Sequence, residues 1–275
     1  MNECFGNSFI RNGELVPSVH FDNSLVYEGD SVYEVIRMVK GKPVFFNDHI
    51  ERLEKSVRFQ QRNMVAGADT LCLDILKLTE SEKRKEVNLK IIFNYKNSET
   101  NYLVYLIKPI YPTKGQYING VKGILFHAER KDPESKVINH KLRSEIYHKL
   151  ILEGAYEALL VDRENRITEG SRSNIFFIRG GVLYTAPESV ILNGITRKYI
   201  LDICNEQGIK VVFECVKADE IDNYESSFMS GTSPTILPFR CIDNSFFNAR
   251  LRLMTELRKL YMRKAEESII RFSTE

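Results

Sequence analysis

The stretch DRENRITEGSRSNIFFIRGGVLYTAP, residues 162–187, holds one carboxylate within a run of small and polar residues. Glu169 stands at its centre, between two apolar segments, 157–161 and 175–178, whose composition predicts strands. Such a stretch is either an ordinary surface turn or a place where a charge is held against a bound ligand. The residues alone leave both interpretations open.

The composition is that of a soluble globular protein, since 43% of the 275 residues are hydrophobic and 28% are charged. This length allows two domains of ordinary size. The formal net charge of +2 does not favour nucleic acid or an acidic membrane surface as a partner.

The cysteines are odd in number, scattered and never in a Cys-x-x-Cys pair, which argues against a disulfide framework or a zinc ribbon and favours a reducing compartment. The N-terminus lacks a basic region followed by an apolar run, and no stretch approaches the ~20 apolar residues that span a bilayer. We therefore expect a cytoplasmic protein with no membrane partner.

Local patterns predict a two-part α/β chain. Asn12-Gly13 between apolar runs predicts a hairpin, and a second strand pair should turn at residues 40–42. The following helix should begin with Asn47 or Asp48 as its cap. A Pro-Thr-Lys-Gly segment within 111–116 breaks the pattern, and it predicts domains at 1–111 and 117–275.

Several common functional motifs are missing. The sequence has no Gly-x-Gly-x-x-Gly, no phosphate loop ending in Gly-Lys-Ser/Thr, no His-Glu-x-x-His and no Gly-x-Ser-x-Gly. The five histidines do not fall at metal-ligand spacing. Nicotinamide, ATP and zinc chemistry are therefore disfavoured, and we expect no metal.

Three other features point to a ligand. Gly194-Ile195-Thr196 opens a predicted helix, where N–H groups and the helix dipole favour a phosphate. Residues 230–233, Ser-Gly-Thr-Ser, form a second small-residue segment after a buried strand. Lys136 is expected at the end of the strand that begins at Val121, just before a helix. Taken singly, these features are more often a cap, a turn and a surface lysine.

Six segments in order give a more specific signal. They are GDSVYEVIR, NDHIERL, SKVIN, GAYEALLVDRENRITEGSRSNIFFI, LNGITR and MSGTSPTILP, and they extend from Gly29 to Pro238. Together they resemble the class IV aminotransferases, the fold-type IV family of pyridoxal-phosphate enzymes. That family holds branched-chain and D-amino-acid aminotransferases and aminodeoxychorismate lyase.

The resemblance implies roles for individual residues. Lys136 matches the lysine that carries the cofactor, with Lys141 as a rival position. Glu169 matches the carboxylate that faces the pyridine nitrogen and keeps it protonated. The residues implied to hold the phosphate are Arg52, Ile195, Thr196, Gly231 and Thr232.

Two departures from the family pattern concern the substrate side. His140 stands where the branched-chain enzymes carry a tyrosine, and it either bonds the cofactor's phenolic oxygen or only starts a helix. The strand IIFNYKN lacks the arginine that relatives use for the substrate carboxylate. We expect Arg37, on the strand face of Tyr33, or Arg172 to replace it; the alternative is a paired Arg37 and a solvated Arg172.

The resemblance implies two α/β domains with the cofactor in the cleft between them, and a homodimer. The expected activity is transfer of an amino group between an amino acid or amine and a 2-oxo acid. One alternative is an aminodeoxychorismate lyase, although that group favours threonines where this chain has Glu34 and Val35. The other is a non-catalytic pyridoxal-phosphate-binding protein. The sequence does not name the substrate or its stereochemistry.

Overall fold

The computed structural model describes residues 3–96, 99–130 and 132–272, which form a mixed α/β structure. These residues belong to two compact units. The first comprises Met1–Ile110, Ser135–Ile138 and Ala265–Glu275, and the second comprises Tyr111–Glu134 and Asn139–Lys264. The domains at 1–111 and 117–275 stay a prediction, because compactness alone does not define a domain that folds independently.

The first unit is built on an antiparallel six-stranded sheet in the order β2-β1-β6-β5-β3-β4. Its strands are β1 Ser8–Arg11, β2 Glu14–Pro17, β3 Asp30–Val39, β4 Lys42–Pro43, β5 Val87–Lys96 and β6 Glu99–Ile107. Its helices are α1 Ser24–Tyr27, α2 Phe46–Phe59 and α3 Ala68–Glu82, with a short 3-10 turn at Ser18–His20. The strand β5 is almost entirely buried, so both faces of this sheet are covered.

The two faces of this sheet have different covers. Ile36, Leu89 and Ile91 pack with α2 and α3 on one face. Ile92 and Tyr105 pack with the N-terminal segment and α1 on the other. Alternate residues of one strand therefore enter different surroundings, as the period of two requires.

The second unit contains a nine-stranded mixed sheet in the order β12-β11-β10-β13-β14-β7-β8-β9, with β15 paired to β14. Its strands are β7 Val121–His127, β8 Glu157–Val161, β9 Ile167–Gly170, β10 Asn174–Arg179, β11 Val182–Thr185, β12 Val211–Phe213, β13 Ser226–Gly231, β14 Thr235–Ile242 and β15 Ser245–Phe246. The remaining helices are α4 Lys114–Asn119, α5 His140–Glu153, α6 Ile195–Glu206 and α7 Arg252–Arg271, with 3-10 turns at Glu188–Val190 and Ala218–Asn223.

Turn chemistry explains several boundaries. The hairpin at Asn12-Gly13 is confirmed, since both residues have positive φ and join β1 to β2.

The expected cap of α2 is wrong. The helix begins at Phe46 after a left-handed Phe45, whose N–H donates to Ser268 Oγ at 3.2 Å. Burial of both phenylalanines and this distant contact set the start earlier than the local polar residues predicted.

Within the described residues, no helix is long and apolar enough to cross a membrane. The same part of the chain contains no cluster of three or more His, Cys, Asp or Glu side chains suited to hold a metal ion.

Candidate active site

Lys136 lies in a short segment that is attached to the edge of β3 in the first unit. Tyr33 N–H donates to the Lys136 carbonyl at 3.1 Å, and Val137 forms a single antiparallel bridge with Val32. The Lys136 N–H donates to Ser56 Oγ of α2 at 3.2 Å. The lysine backbone is therefore held on both sides, and its Nζ lies 4.7 Å from the centre of the Tyr33 ring.

The expected location of Lys136 at the end of a strand is wrong. The strand β7 ends at His127, and Lys136 belongs instead to Ser135–Ile138, which is grouped with the first unit. The cause is pairing with β3, which local sequence does not reveal. Lys141, the rival position, is exposed in the first turn of α5.

A buried ion cluster lies between β3 and α2 in the same unit. Glu34 is fully buried, and Arg52 donates to it through Nε and Nη2, each at 2.7 Å. His49 Nδ1 lies 2.8 Å from the same carboxylate and donates to it. Such a two-pronged arginine–carboxylate pair has a strongly preferred geometry.

Charge and burial compete in this cluster. Burial favours the neutral acid, but the Arg52 guanidinium and the hydrogen bonds from Arg52 and His49 outweigh it and hold the pKa of Glu34 well below its ordinary value. Burial also lowers the pKa of His49, assisted by the positive charges of Arg52 and Lys136 and opposed by Glu34. We infer an ionised glutamate beside a neutral histidine.

This cluster limits what Arg52 can offer a phosphate. Because Nε and one N–H of Nη2 bind Glu34, a phosphate that leaves the glutamate in place would have to meet other N–H groups of the guanidinium. Sequence reasoning named Arg52 but missed Glu34 and His49 as its partners. The spacing of His49 and Arg52 on one helix face was the signal available for the histidine.

The other face of β3 carries the expected substrate-side residues. Tyr33 packs with the cluster around Ile92 and Tyr105, whereas Glu34 faces α2, so the predicted alternation is confirmed. Arg37 is directly opposite Asn88 on β5 and therefore shares the face of Tyr33. Lys90, which sequence reasoning missed, also lies on this face, and its Nζ is 5.3 Å from the Tyr33 ring centre.

In the second unit, Glu169 lies near the end of β9 and is 2% exposed. Its Oε1 lies 2.8 Å from Arg130 Nε, and its Oε2 accepts from the Leu192 N–H at 3.4 Å. Arg130 also donates to the Ser171 carbonyl at 3.2 Å. The guanidinium therefore links the carboxylate to the turn that follows it.

A second buried carboxylate supports that turn. Glu157 begins β8 and accepts hydrogen bonds from the hydroxyls of Ser171 and Ser173. The Gly170 N–H donates to the Ser173 carbonyl at 2.7 Å, which closes the loop. A Cβ at Gly170 would collide with the Ser173 hydroxyl. The small residues beside Glu169 therefore form a turn that is closed by hydrogen bonds. Sequence reasoning missed Glu157, which accepts hydrogen bonds from two serines of this turn.

The start of α6 is held by β10 and is suited to an anion. Asn174 Nδ2 donates to the Leu192 carbonyl at 2.9 Å, and a Cβ at Gly194 would collide with Asn174 Oδ1. Gly194 is the N-cap of α6, which places the N–H groups of Ile195 and Thr196 in its first turn. First-turn N–H groups and the helix dipole stabilise an anion.

An unpartnered hydroxyl lies beside this helix start. Ser230 is 1% exposed, and within the described ranges its Oγ has no hydrogen-bond partner. Ser230 is directly opposite Asn174 across β13 and β10, so the two side chains share one sheet face. Gly231 and Thr232 follow at the strand end. A buried hydroxyl of this kind fits a phosphate-binding group, because a phosphate would supply its missing acceptor.

The last two candidates lie at the protein surface or near it. Arg172 is exposed, and its Nη2 donates to the Tyr156 carbonyl at 3.1 Å. His140 is the first residue of α5, directly after Asn139, whose side chain caps that helix.

Comparison with known proteins identifies the family. The sequence profile described as Amino-transferase class IV matches residues 31–242. The chain belongs to the class IV aminotransferases.

Three relatives of this class IV aminotransferase illustrate the match. The D-alanine aminotransferase of Bacillus licheniformis is 29% identical over 226 residues, covering 78% of this chain and 80% of the relative. A probable branched-chain-amino-acid aminotransferase of Rickettsia felis is 30% identical over 256 residues, covering 84% and 86%. The T.th. branched-chain amino acid aminotransferase, solved with pyridoxamine 5'-phosphate, superposes with a TM-score of 0.85 at 22% identity over 96% of this chain and 95% of that one.

The class IV aminotransferase is therefore a pyridoxal-5'-phosphate enzyme with the fold-type IV architecture. Its activity is amino-group transfer, and the lyase is only an alternative. The residues described above fit the cofactor's chemistry. They include a lysine with an ordered backbone, a buried carboxylate beside an arginine, and a helix start with an unpartnered hydroxyl within the described ranges.

Proposed function

We propose that this aminotransferase acts on an amino acid of the branched-chain or D-alanine type, with a 2-oxo acid as the amino acceptor. The names of the relatives support both substrate classes. The observation that carries the proposal is Lys136, because its backbone is held by β3 and α2 while its ammonium group lies over Tyr33. An ordered lysine of this kind is suited to hold a carbonyl compound covalently.

We assign the site residues as follows. Lys136 holds the cofactor covalently and moves a proton at the substrate's Cα. Glu169 accepts a hydrogen bond from the protonated pyridine nitrogen and stabilises its positive charge. When bound, the cofactor supplies an electron sink for the carbanion that forms at Cα.

The phosphate group is assigned to two sets of donors. One is Arg52, through guanidinium N–H groups that its two bonds to Glu34 do not use. The other comprises N–H groups and hydroxyls of the second unit: Ile195, Thr196, Gly231 and Thr232. Ser230, whose hydroxyl has no partner within the described residues, joins this set. His140 is assigned to the phenolic oxygen of the cofactor.

On the substrate side, we assign Tyr33, Arg37 and Arg172. Arg37 is supported by its position on the face of Tyr33. Arg172 has weaker support, because it is exposed and already donates to a backbone carbonyl. We also propose a homodimer, two domains at 1–111 and 117–275, and a cytoplasmic location, by analogy with the family and from the sequence composition.

Mixing the purified, cofactor-loaded protein with a panel of L- and D-amino acids tests the proposal. Amino acids should bleach the cofactor absorbance, and a 2-oxo acid should restore it. Irreversible release of pyruvate from aminodeoxychorismate would indicate the lyase instead. No response to any amino compound would indicate a non-catalytic binding protein.

A further inference from the structure

Lys90 is a buried lysine in the middle of β5, and it is only 2% exposed. An ammonium group in such a place is strongly unfavourable unless an anion neutralises it. The strand that carries it contains no arginine. Lys90 is therefore a buried cation that this strand places on the face of Tyr33.

The neutralising anion is Glu3, from the N-terminal segment. Glu3 Oε1 accepts from Lys90 Nζ at 2.7 Å, and Oε2 accepts from the Tyr105 hydroxyl at 3.0 Å. The Glu3 side chain is 23% exposed, whereas that of Lys90 is 2% exposed. This carboxylate therefore stands between a buried cation and the solvent.

The position of Lys90 relates it to the proposed reaction centre. Its Nζ is 5.3 Å from the centre of the Tyr33 ring, and Lys136 Nζ is 4.7 Å from the same point. The two nitrogens can be no farther apart than the sum of these distances. Arg37 is a diagonal neighbour, because Val35 is opposite Lys90 and Arg37 is opposite Asn88. Two cations thus share this face with the tyrosine that contacts Lys136.

We propose that Lys90 binds a carboxylate of the amino-acid substrate, and that Glu3 takes the place of that carboxylate when no substrate is bound. The inference rests on the proposed function, since it concerns the same reaction centre. Replacing Glu3 by a substrate carboxylate exchanges one anion for another. Lys90 and the Tyr105 hydroxyl keep a partner throughout, so neither is left buried and unpaired.

Glu3 and the substrate compete for Lys90, and this gives opposite expectations for the two residues. Removing the lysine should weaken substrate binding, whereas removing the charge of Glu3 should strengthen it. If the Lys90–Glu3 pair only anchors the N-terminal segment, removing either residue's charge should change substrate binding in the same direction, because either change breaks the same bond.

The test compares Lys90→Met and Glu3→Gln with the wild type and with Lys40→Met, which removes an exposed, ion-paired lysine. The substrates are the best amino acid from the panel and the amine that lacks its carboxylate. Lys90→Met should raise KM for the amino acid by at least about tenfold and leave KM for the amine within about twofold. Glu3→Gln should lower KM for the amino acid by about twofold or more, because the competing state is lost. Lys40→Met should change neither.

A dicarboxylic amino acid identifies which carboxylate is bound. If Lys90→Met raises KM more for glutamate than for a monocarboxylic amino acid, the lysine holds a side-chain carboxylate; equal increases indicate the α-carboxylate. Equal increases for amino acid and amine, or a higher KM in Glu3→Gln, would overturn the inference.

Calorimetric titration provides a readout that does not depend on turnover. Hexanoate and glutarate should bind the cofactor-loaded wild type and Glu3→Gln, and should bind Lys90→Met at least about tenfold more weakly. If Lys90→Met does not fold, Glu3→Gln is the deciding variant. Carboxylate binding to Glu3→Gln that is equal to or weaker than binding to the wild type would contradict the proposal. A protein that binds these acids through Lys90 but reacts with no amino compound would refute the proposed function and leave this inference standing.

Discussion

Each unit contains a buried glutamate beside an arginine, but the two carboxylates are held differently. Glu34 receives contacts of 2.7, 2.7 and 2.8 Å from Arg52 and His49, which engage both of its oxygens. Glu169 Oε1 lies 2.8 Å from Arg130 Nε, and its Oε2 accepts a longer hydrogen bond of 3.4 Å from the Leu192 N–H. Short side-chain contacts engage both oxygens of Glu34, whereas the contact between the Leu192 N–H and Glu169 Oε2 is long.

This difference separates a positioning role from a ligand-binding role. A carboxylate that accepts short hydrogen bonds at both oxygens is suited to hold an arginine and a histidine in place. The 3.4 Å amide contact of Glu169 is close to the limit of a hydrogen bond, so a ligand N–H can replace it at little loss.

Neutralising Glu169 should have the largest effect on catalysis. Glu169→Gln should keep the cofactor bound but lower turnover by about a hundredfold or more, since each ~1.4 kcal/mol of lost carbanion stabilisation slows the reaction about tenfold. Single-turnover absorbance measurements would follow the proton-transfer step. The control is Glu164→Gln, at an exposed glutamate in the loop before the same strand. Turnover near that of the wild type would mean that another group pairs with the ring nitrogen.

Neutralising Glu34 should mainly destabilise the fold. Glu34→Gln leaves Arg52 without its anionic partner, and breaking a buried pair in this way costs about 3–5 kcal/mol of unfolding free energy. Urea denaturation of the cofactor-loaded protein measures the loss. Glu28→Gln, which removes an exposed pair with Lys96, should cost at most about 1 kcal/mol. A similar small loss for Glu34→Gln would contradict a positioning role.

The buried His49 should make stability depend on pH. Its folded pKa lies below the ordinary value of 6.5, so the unfolded chain takes up this proton first as the pH falls. Stability should therefore decline below about pH 6.5, with a slope of up to about 1.4 kcal/mol per pH unit from this one group. Glu34, whose pKa is also depressed, adds a further loss once the pH falls below its ordinary value of 4.5.

Replacing His49 should remove the first part of that decline. Denaturation midpoints of His49→Gln should vary less than those of the wild type between about pH 6.5 and 5. The exposed His148 serves as the control, because His148→Gln should preserve the wild-type pH dependence. An unchanged profile in His49→Gln would show that other groups titrate in this range.

The smallest effects should come from the substrate-side arginines. Arg37→Met should raise KM for an amino acid several-fold relative to the matched amine, because Arg37 shares the face of Tyr33. Arg172→Met should change KM by less than about twofold, since that side chain is exposed and bound to a backbone carbonyl. If steady-state measurements showed a larger rise in KM for Arg172→Met than for Arg37→Met, the substrate carboxylate would be assigned to Arg172 instead.

Local sequence was sufficient where local chemistry decides the structure. The Asn12-Gly13 pair predicted its hairpin, because both residues adopt positive φ readily. Gly154 ends α5 in a left-handed conformation, which glycine adopts without the steric cost of a Cβ. The period of two on β3 correctly separated Tyr33 from Glu34.

Contacts between distant parts of the chain were beyond local reasoning. The attachment of Lys136 to β3, the pairing of Glu3 with Lys90 and the support of the Glu169 turn by Glu157 all join residues that no short pattern relates. The start of α2 was misjudged for the same reason, because Phe45 is held by Ser268. Motif matching still found candidate site residues, since it carries long-range information that periodicity does not.

The covalent attachment of the cofactor to Lys136 is the central claim, and borohydride reduction followed by peptide mapping tests it most directly. The reduced cofactor should be recovered on the peptide that contains Lys136, and Lys136→Ala should abolish the adduct while Lys141→Ala keeps it. Recovery of the adduct on a Lys141 peptide, or its persistence in Lys136→Ala, would contradict the account.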